Sequence, residues 1–275
     1  MSRIAGRFAA IRAEARGALI PFIEASDPDA ETSLALLRGL PAAGADLIEI
    51  GVPFTDPMAD GPTIQRAGQR ALKAGATLAR TLGMVRAFRQ QDDATPIVLM
   101  GYANPVLSYG VDRFCADAAA SGVDGLIVVD LPPEEADVLA GPARANGLDV
   151  IRLIAPTTDE ARLPLVLEGT SGFLYHVAIA GITGTRSAKA SDLVGNVARI
   201  RRRTALPVAI GFGIKTPEQA AEAVRIADAA VVASALIDTL ASHLDAEGRA
   251  TPGLVPAVLG QVAALAAAVR AARRS

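Results

Sequence analysis

Two acidic residues differ from one another in their surroundings along the chain. Glu49 lies within the apolar run LIEIG, and Asp60 follows in the long loop VPFTDPMADGPTIQ. A carboxylate inside an apolar strand is unfavourable unless it is paired, protonated or catalytic. Burial raises the pKa of such a carboxyl group, whereas a polar loop keeps the pKa of a second one low. The pair is therefore suited to divide the acid and base steps of a reaction.

Each of these carboxyl groups also has a structural interpretation. Glu49 would form an ion pair with a cation on a neighbouring strand, for which Arg152 is the evident candidate. Asp60 would cap a helix that begins near Thr63. The residue types and their spacing leave both interpretations open.

Small residues after two later strands predict an anion site. The segment GFGI occupies positions 211–214, and Ala233 and Ser234 follow the next strand. Glycine lets backbone N–H groups approach a phosphate closely, and a helix beginning at Ser234 would add the positive end of its dipole. Tight turns without a ligand have the same composition, so this prediction depends on whether the strands form a barrel that places both segments at one end.

Two further features point to a ligand site. The loop AIAGITGTRSAKA at 178–190 is long and rich in small residues, which is typical of a lid, with an ordinary surface loop as the alternative. In a chain with only 4% aromatic residues, four aromatic side chains at or beyond strand ends predict a flat apolar ligand rather than core packing alone. They are Phe22, Tyr102, Tyr175 and Phe212. We interpret Cys115, His176 and His243 as structural.

These residues are positioned by repeated strand and helix patterns. About eight short runs rich in β-branched residues alternate with longer Ala- and Leu-rich helical stretches. The predicted strands are 18–24, 46–51, 96–101, 125–130, 149–154, 172–177, 207–211 and 229–233. Helix caps are predicted at Asp29, Thr77, Asp112, 132–134, Thr158 and Thr216, with a last helix at 251–273.

This alternation predicts an α/β fold, a single (β/α)8 TIM barrel over residues 1–275 with an extra N-terminal helix. Barrel enzymes hold their reacting groups at the C-terminal ends of the strands, where Glu49 and Asp60 would lie. A doubly wound open sheet is the alternative, but no GxGxxG motif follows the first strand.

The composition narrows the function classes. The formal net charge is -2, from 27 basic and 29 acidic residues, which disfavours nucleic-acid binding. One cysteine and two isolated histidines give neither a disulfide framework nor metal-ligand spacing. No run approaches the ~20 apolar residues that a membrane span needs. We therefore expect a cytoplasmic protein without a metal site, an export signal or a membrane anchor.

The segment IEIGVPFTDPMADG at 48–61 resembles the signature of the tryptophan synthase alpha chain family. The resemblance covers nearly the whole chain. Further matching segments are PFIEASDPD at 21–29, MGYANPV at 100–106, VDLPPEEA at 129–136, APTT at 155–158, GITGTR at 181–186 and IGFGIKTPEQ at 210–219. It implies an eight-stranded barrel that cleaves indole-3-glycerol phosphate to indole and D-glyceraldehyde 3-phosphate by a retro-aldol reaction, the alpha reaction of L-tryptophan biosynthesis.

The resemblance also implies roles for individual residues. Glu49 would be the acid–base group, and Asp60 would accept the hydrogen bond of the indole N–H and stabilise developing positive charge. Thr183 would close the lid against Asp60. The residues that would surround the indole are Phe22, Met100, Tyr102, Ile127, Leu153, Tyr175 and Phe212. Those that would hold the phosphate are Gly184, Gly213, Ala233 and Ser234.

The family implies a partner as well. Its members work with a beta chain, in an alpha2-beta2 heterotetramer, and the pyridoxal phosphate belongs to that beta chain, so this chain would need no cofactor. The surface facing the partner would lie near 53–56, near 104–108 and after Leu131.

Three residues depart from the family pattern. Ala233 stands where relatives usually carry glycine, so a turn with positive φ would be strained there by roughly 1 kcal/mol. Ser26 replaces another usual glycine. Glu24 shares strand parity with Phe22 and should point into the barrel mouth near Glu49, where two close carboxyl groups disfavour double ionisation. Pairing of Glu24 with Arg152 or another cation is the alternative.

Other functions remain open from the sequence. One is a different phosphate-binding barrel enzyme, although the predicted strands contain no lysine for a Schiff base and no metal-ligand cluster. Another is a lyase that releases indole without a partner. A third is a weakly active alpha chain that mainly activates a beta partner.

Overall fold

The computed structural model describes residues 2–177, 190–211 and 213–272. Its strands form one parallel sheet in the order β5-β4-β3-β2-β1-β9-β8-β7-β6. They are β1 (Ala18–Glu24), β2 (Ile48–Gly51), β3 (Ile97–Gly101), β4 (Gly125–Val128), β5 (Asp149–Val150), β6 (Arg152–Ile154), β7 (Leu174–Val177), β8 (Val208–Gly211) and β9 (Ala229–Val232).

The nine strands correspond to the eight predicted ones, because the fifth is divided. β5 pairs with β4 and β6 pairs with β7, and only Ile151 separates them. The two halves of one predicted strand thus stand at opposite ends of the sheet order and close it into a barrel. The prediction of a (β/α)8 barrel is confirmed, and the prediction of a continuous strand at 149–154 is wrong.

Helices and one 3-10 turn lie before, between and after the strands. They are α1 (Arg3–Ala13), α2 (Ala30–Ala43), α3 (Pro62–Lys73), α4 (Leu78–Arg89), α5 (Ala103–Tyr109), α6 (Val111–Ser121), the 3-10 turn (Pro133–Glu135), α7 (Asp137–Ala145), α8 (Leu163–Leu167), α9 (Ala190–Arg201), α10 (Pro217–Ile226), α11 (Ser234–Ser242) and α12 (Leu254–Ala271). α12 is long and apolar enough to cross a membrane, but it packs on α2, α10 and α11 as core helices do, so its composition is weak support for a span.

Three of the predicted helix caps are confirmed. The side chains of Asp29, Thr77 and Thr216 each accept a hydrogen bond from a backbone N–H in the first turn that follows. The predicted caps at Asp112 and Thr158 are wrong. α6 begins one residue earlier, after Gly110, and α8 begins only at Leu163.

The barrel interior is filled by its own cluster of buried side chains, to which α1 contributes. Ile4, Phe8 and Ile11 of α1 pack with residues from the strands, and the rings of Phe8 and Phe173 lie 5.7 Å apart. The predicted extra N-terminal helix therefore closes the end of the barrel where the strands begin.

Buried aspartates fix neighbouring strands at that same end. The Asp46 carboxylate, just before β2, accepts the Leu19 N–H of β1 at 3.0 Å and the Arg16 guanidinium at 2.9 Å. Asp124 accepts the Ile97 N–H of β3 in the same way, at 2.8 Å. Because each carboxylate joins one strand to the start of the next, the register that aligns the opposite ends of the strands is set here.

Candidate active site

Glu49 points into the barrel from the middle of β2. It lies opposite Phe22 of β1 and Val98 of β3, and only 1% of its surface is exposed. Its Oε2 atom has no hydrogen-bond partner among the described residues. Burial, and after it the charge of Asp60, raises the pKa of Glu49 to about 8. At neutral pH this carboxyl group therefore holds its proton and is ready to act as an acid.

The ion pair between Glu49 and Arg152 is not formed. Ile151 and Leu153 belong to the cluster inside the barrel, so Arg152 between them faces outwards. The acidic groups whose charges act on Arg152 are Glu134 and Glu168. The structural interpretation of Glu49 is wrong, because strand parity places its expected cation on the other side of the barrel wall.

Asp60 does not cap α3. The residue that caps this helix is Gly61, without a side-chain hydrogen bond. The Asp60 carboxyl group instead accepts a hydrogen bond from the Tyr102 hydroxyl, which lowers its pKa, while the larger effect of burial raises the pKa to about 6. The Tyr102 hydroxyl also accepts the Ala59 N–H at 3.0 Å. Asp60 is therefore mostly ionised at neutral pH, whereas Glu49 is mostly protonated.

An open cleft lies where β1, β2 and β3 end. It brings together four of the predicted site residues, Phe22, Asp60, Met100 and Tyr102. Largely apolar walls beside the ionised Asp60 suit a flat aromatic ligand that carries an N–H group. The predicted grouping of aromatic residues around such a ligand is compatible with this part of the site.

Three further predicted indole contacts lie deeper. Ile127, Leu153 and Tyr175 belong to the cluster inside the barrel, on the same side of the wall as Glu49. Burial and the Glu49 charge raise the pKa of the Tyr175 hydroxyl well above its ordinary value. A ligand in the cleft that reaches Glu49 would therefore lie above an apolar floor. The outward-facing His176 is buried behind β7 and takes no part in this arrangement.

Only part of the predicted phosphate site lies within the described residues. Gly213 has φ +74°, a conformation that favours glycine. Ala233 precedes α11 with φ -118°, so the strain expected there does not exist, and the N-terminus of α11 begins at Ser234 as predicted. The non-glycine residue with positive φ among the three departures is Ser26, at φ 67°. Phe212, Thr183, Gly184 and the predicted lid at 178–190 lie outside the described residues, apart from the α9 backbone at 190.

Glu24 lies in the cleft, but its charged neighbours differ from those expected. Its carboxyl group is buried, and the negative charges of Asp60 and Asp27, not that of Glu49, add to the burial that raises its pKa well above the ordinary value. Arg70 acts in the opposite direction. Arg152 is not a neighbour, so the alternative that paired these two residues is wrong.

Other cleft residues were missed by the sequence reasoning. Val129 lies two positions after Ile127 and shares its direction, so strand parity would have found it. Phe54 and Ile64 come from the loop after β2 and the first turn of α3. No periodic pattern marks loop residues of this kind, and their position depends on how the loop folds over the strand ends.

Comparison with known proteins identifies one family. The model of the tryptophan synthase alpha chain family matches residues 8–258. The tryptophan synthase alpha chain of Granulibacter bethesdensis is 73% identical over 275 residues, covering 100% of this chain and 99% of its own length. That of Acidiphilium cryptum is 65% identical over 275 residues, covering 100% of both chains.

Solved structures agree in fold. A tryptophan synthase subunit alpha from Legionella pneumophila superimposes with a TM-score of 0.88 at 38% identity, covering 98% of each chain. A chain of Mycobacterium tuberculosis tryptophan synthase also gives a TM-score of 0.88, at 37% identity and with 98% coverage of each chain.

Proposed function

The chain belongs to the tryptophan synthase alpha chain family. We propose that Glu49 carries the proton transfers of its reaction and that Asp60 stabilises the charge that develops. The protein is a lyase of tryptophan biosynthesis that carries out the alpha reaction, the cleavage of indole-3-glycerol phosphate to indole and D-glyceraldehyde 3-phosphate. The alternatives, a lyase without a partner or a weakly active activator, are not favoured by relatives that match the full chain.

The different proton affinities of the two carboxyl groups carry the proposal. Cleavage begins when C3 of the indole ring receives a proton, which leaves positive charge on the ring nitrogen. Glu49, with a pKa of about 8, holds that proton at neutral pH. Asp60, with a pKa of about 6, is ionised and accepts the hydrogen bond of the ring N–H, where the positive charge develops.

The same groups complete the cycle. Once Glu49 has given up its proton, its carboxylate takes the proton of the glycerol hydroxyl next to the ring. The carbon–carbon bond then breaks, an aldehyde forms, and the bonding electrons return to the indole ring. Glu49 ends the cycle protonated, as it began. Because each proton transfer has a carboxyl group to carry it, we propose that the reaction uses neither a metal nor a cofactor bound to this chain.

Substrate binding in this proposal follows the walls described above. Phe22, Met100 and Tyr102 would hold the indole ring in the cleft, and Ile127, Leu153 and Tyr175 would lie beneath it. We further propose that Gly213, Ala233 and Ser234 hold the phosphate, since a glycine turn and a helix N-terminus both present N–H groups. We retain Thr183, Gly184 and Phe212 as proposed contacts on the strength of the family resemblance.

Two matched substitutions test the catalytic assignment. Glu49→Gln should lower the rate of indole release by roughly 10²–10⁴-fold, because it removes general acid–base catalysis but keeps the side-chain shape. Asp60→Asn should also lower it. The control is Glu247→Gln, which changes an exposed carboxyl group paired with Arg249 and should leave the rate unaltered. Near-normal turnover by folded Glu49→Gln would contradict the proposal.

The family implies a beta-chain partner, and we propose that the exposed apolar residues beside the cleft contribute to its binding. Met58 is 78% exposed and Leu107 is 54% exposed, and they lie beside 53–56 and within 104–108, two of the three segments expected to face a partner. Single exposed apolar side chains are ordinary on protein surfaces, so their coincidence with these two segments is what supports the proposal. An alpha2-beta2 assembly in the cytoplasm fits this surface and the reduced state expected of the buried Cys115 thiol.

The partner surface has its own test. Met58→Asp and Leu107→Asp should weaken association with the beta chain in sedimentation experiments. Val194→Asp, at an apolar residue of α9 that is 52% exposed, serves as the control. Equal weakening by all three substitutions would argue against a localised docking surface.

A further inference from the structure

Glu24 is the last residue of β1, and its side chain occupies a space left free by two glycines. It pairs in register with Gly51 of β2. A Cβ atom at position 51 would overlap the Glu24 carboxyl group, and one at position 68 in α3 would lie 3.7 Å from Glu24 Oε1. On these two sides the carboxyl group therefore faces backbone that carries no side chain.

The Glu24 carboxyl group is both part of the cleft and shielded from water. It lines the same cleft as Asp60, and the residue is only 5% exposed. Within the described residues, no side chain or backbone N–H donates a hydrogen bond to it. A buried carboxylate in such a place would be costly, whereas a buried carboxylic acid is much less so.

The charges around Glu24 also disfavour its ionisation. Asp60 faces it from the loop after β2, and Asp27 from the loop after β1. The guanidinium of Arg70, on α3, is engaged by Asp27 through two hydrogen bonds of 2.7 and 2.8 Å. Burial is the first cause that raises the pKa of Glu24, and the charge of Asp60 is the second.

The other elements packed on β1 supply no free cation at this point in the described part of the chain. β2 contributes Glu49, and β9 carries no titratable residue. α11 contributes Asp238, which accepts a hydrogen bond from Thr63. The charged residues of α2, which are Glu31 and Arg38, and the other cations of α3, which are Arg66 and Lys73, are exposed to solvent. α12 contributes Arg270, whose guanidinium donates a hydrogen bond to the Gly44 carbonyl oxygen.

We propose that Glu24 is a positioning residue for the alpha reaction, which lines the cleft as an uncharged carboxylic acid so that the bound substrate meets one ionised carboxylate, Asp60. The inference rests on the proposed role of Asp60. The substrate carries a phosphate, and Asp60 must stay ionised to accept the indole N–H. A second negative charge beside Asp60 would repel the anionic substrate and would favour protonation of Asp60.

The first test determines the protonation state directly. Infrared difference spectra are recorded at neutral pH between Glu49→Gln and the double variant Glu24→Gln/Glu49→Gln, so that Glu49 does not contribute. We expect the carbonyl stretch of a protonated carboxyl group to be lost in the double variant. Loss of carboxylate stretches instead would overturn the proposal. Glu24→Thr/Glu49→Gln gives an independent second comparison if the glutamine variant folds poorly.

The second test measures the consequence for binding. The probe is indole-3-propanol phosphate, which lacks the hydroxyl group needed for cleavage, and its affinity is measured by calorimetry from neutral to alkaline pH. If the carbonyl band of Glu24 titrates within this pH range, the affinity of the Glu49→Gln protein for the probe should fall by about tenfold per pH unit above the midpoint of that titration. The double variant should show no such loss. A band and an affinity that both persist across the range also support the proposal.

Two results would overturn it at this stage. One is an alkaline loss of affinity with the same midpoint in both proteins. The other is an equal change in the control Asp56→Asn/Glu49→Gln, which removes an exposed carboxylate from the same loop. Failure of the proposed function would be recognised separately, as absence of indole release by the unsubstituted protein.

Discussion

The Tyr102 hydroxyl stands between Asp60 and the loop backbone, because it donates a hydrogen bond to the Asp60 carboxyl group and accepts the Ala59 N–H at 3.0 Å. Tyr102 begins the segment after β3, whereas Asp60 belongs to the loop after β2. One phenol therefore fixes the position of the carboxyl group and also stabilises its ionised form. Neither effect requires the ring to contact substrate.

Tyr102→Phe should move the acidic limb of the pH–rate profile to higher pH. The hydrogen bond lowers the pKa of Asp60, so its removal raises that pKa above about 6 and Asp60 becomes ionised only at higher pH. The measurement is kcat/KM for indole release as a function of pH. Tyr109→Phe is the matched control, since that hydroxyl donates to Asp117 at 2.7 Å and neither residue lines the cleft. An unmoved limb in Tyr102→Phe would show that Asp60 does not set it.

Glu49→Gln should make the protein more stable at alkaline pH while it inactivates the enzyme. The folded-state pKa of Glu49, about 8, is raised above the ordinary value of 4.5. The native protein therefore loses stability relative to the variant as pH rises through this interval, and the difference is complete above pH 8. The full difference is on the order of 5 kcal/mol. Denaturant unfolding at several pH values would measure it, and a difference that does not grow with pH would contradict the assigned pKa.

Gly51→Ala should impair the site far more than an alanine in an open helix position. A Cβ atom at position 51 would lie 2.5 Å from Phe22 Cζ and 3.0 Å from Glu24 Cδ, so both side chains must move. We expect a loss of stability of about 1–3 kcal/mol together with weaker substrate binding. The control is Gly83→Ala in α4, where no atom lies within 4 Å and the helix should gain about 0.5–1 kcal/mol. Thermal unfolding and KM distinguish the two, and equal KM values would contradict the argument.

The fold was predictable because parallel strands and helices have different hydrophobic periods. The division of the fifth strand was not, since its run DVIRLI is continuous and the break at Ile151 arises only when the barrel closes between β4 and β7. The faces of the strands were also hard to assign, because both faces of a buried strand are apolar. Even so, Arg152 and its neighbour Leu153 must point to opposite faces of the strand, and this was sufficient to exclude an ion pair between Arg152 and Glu49.

The part of the candidate site that could be predicted is the part where an unusual residue type in its local sequence indicates chemistry. Glu49 was recognisable as a carboxyl group in an apolar strand, and its raised pKa follows from that setting. The hydrogen bond between Asp60 and Tyr102, and the charge of Asp60 acting on Glu24, depend on loop conformation. Loop conformation depends on long-range contacts that no local pattern records.

The helix α1 helps to exclude water from the barrel interior, although it does not contact the cleft. Its side chains Ile4, Phe8 and Ile11 seal the end of the barrel opposite the cleft and keep water from the interior beneath Glu49. The proton affinity of Glu49 comes chiefly from the absence of water around it. Shortening or loosening α1 would therefore let water approach Glu49 and lower the pKa of a group on the far side of the core.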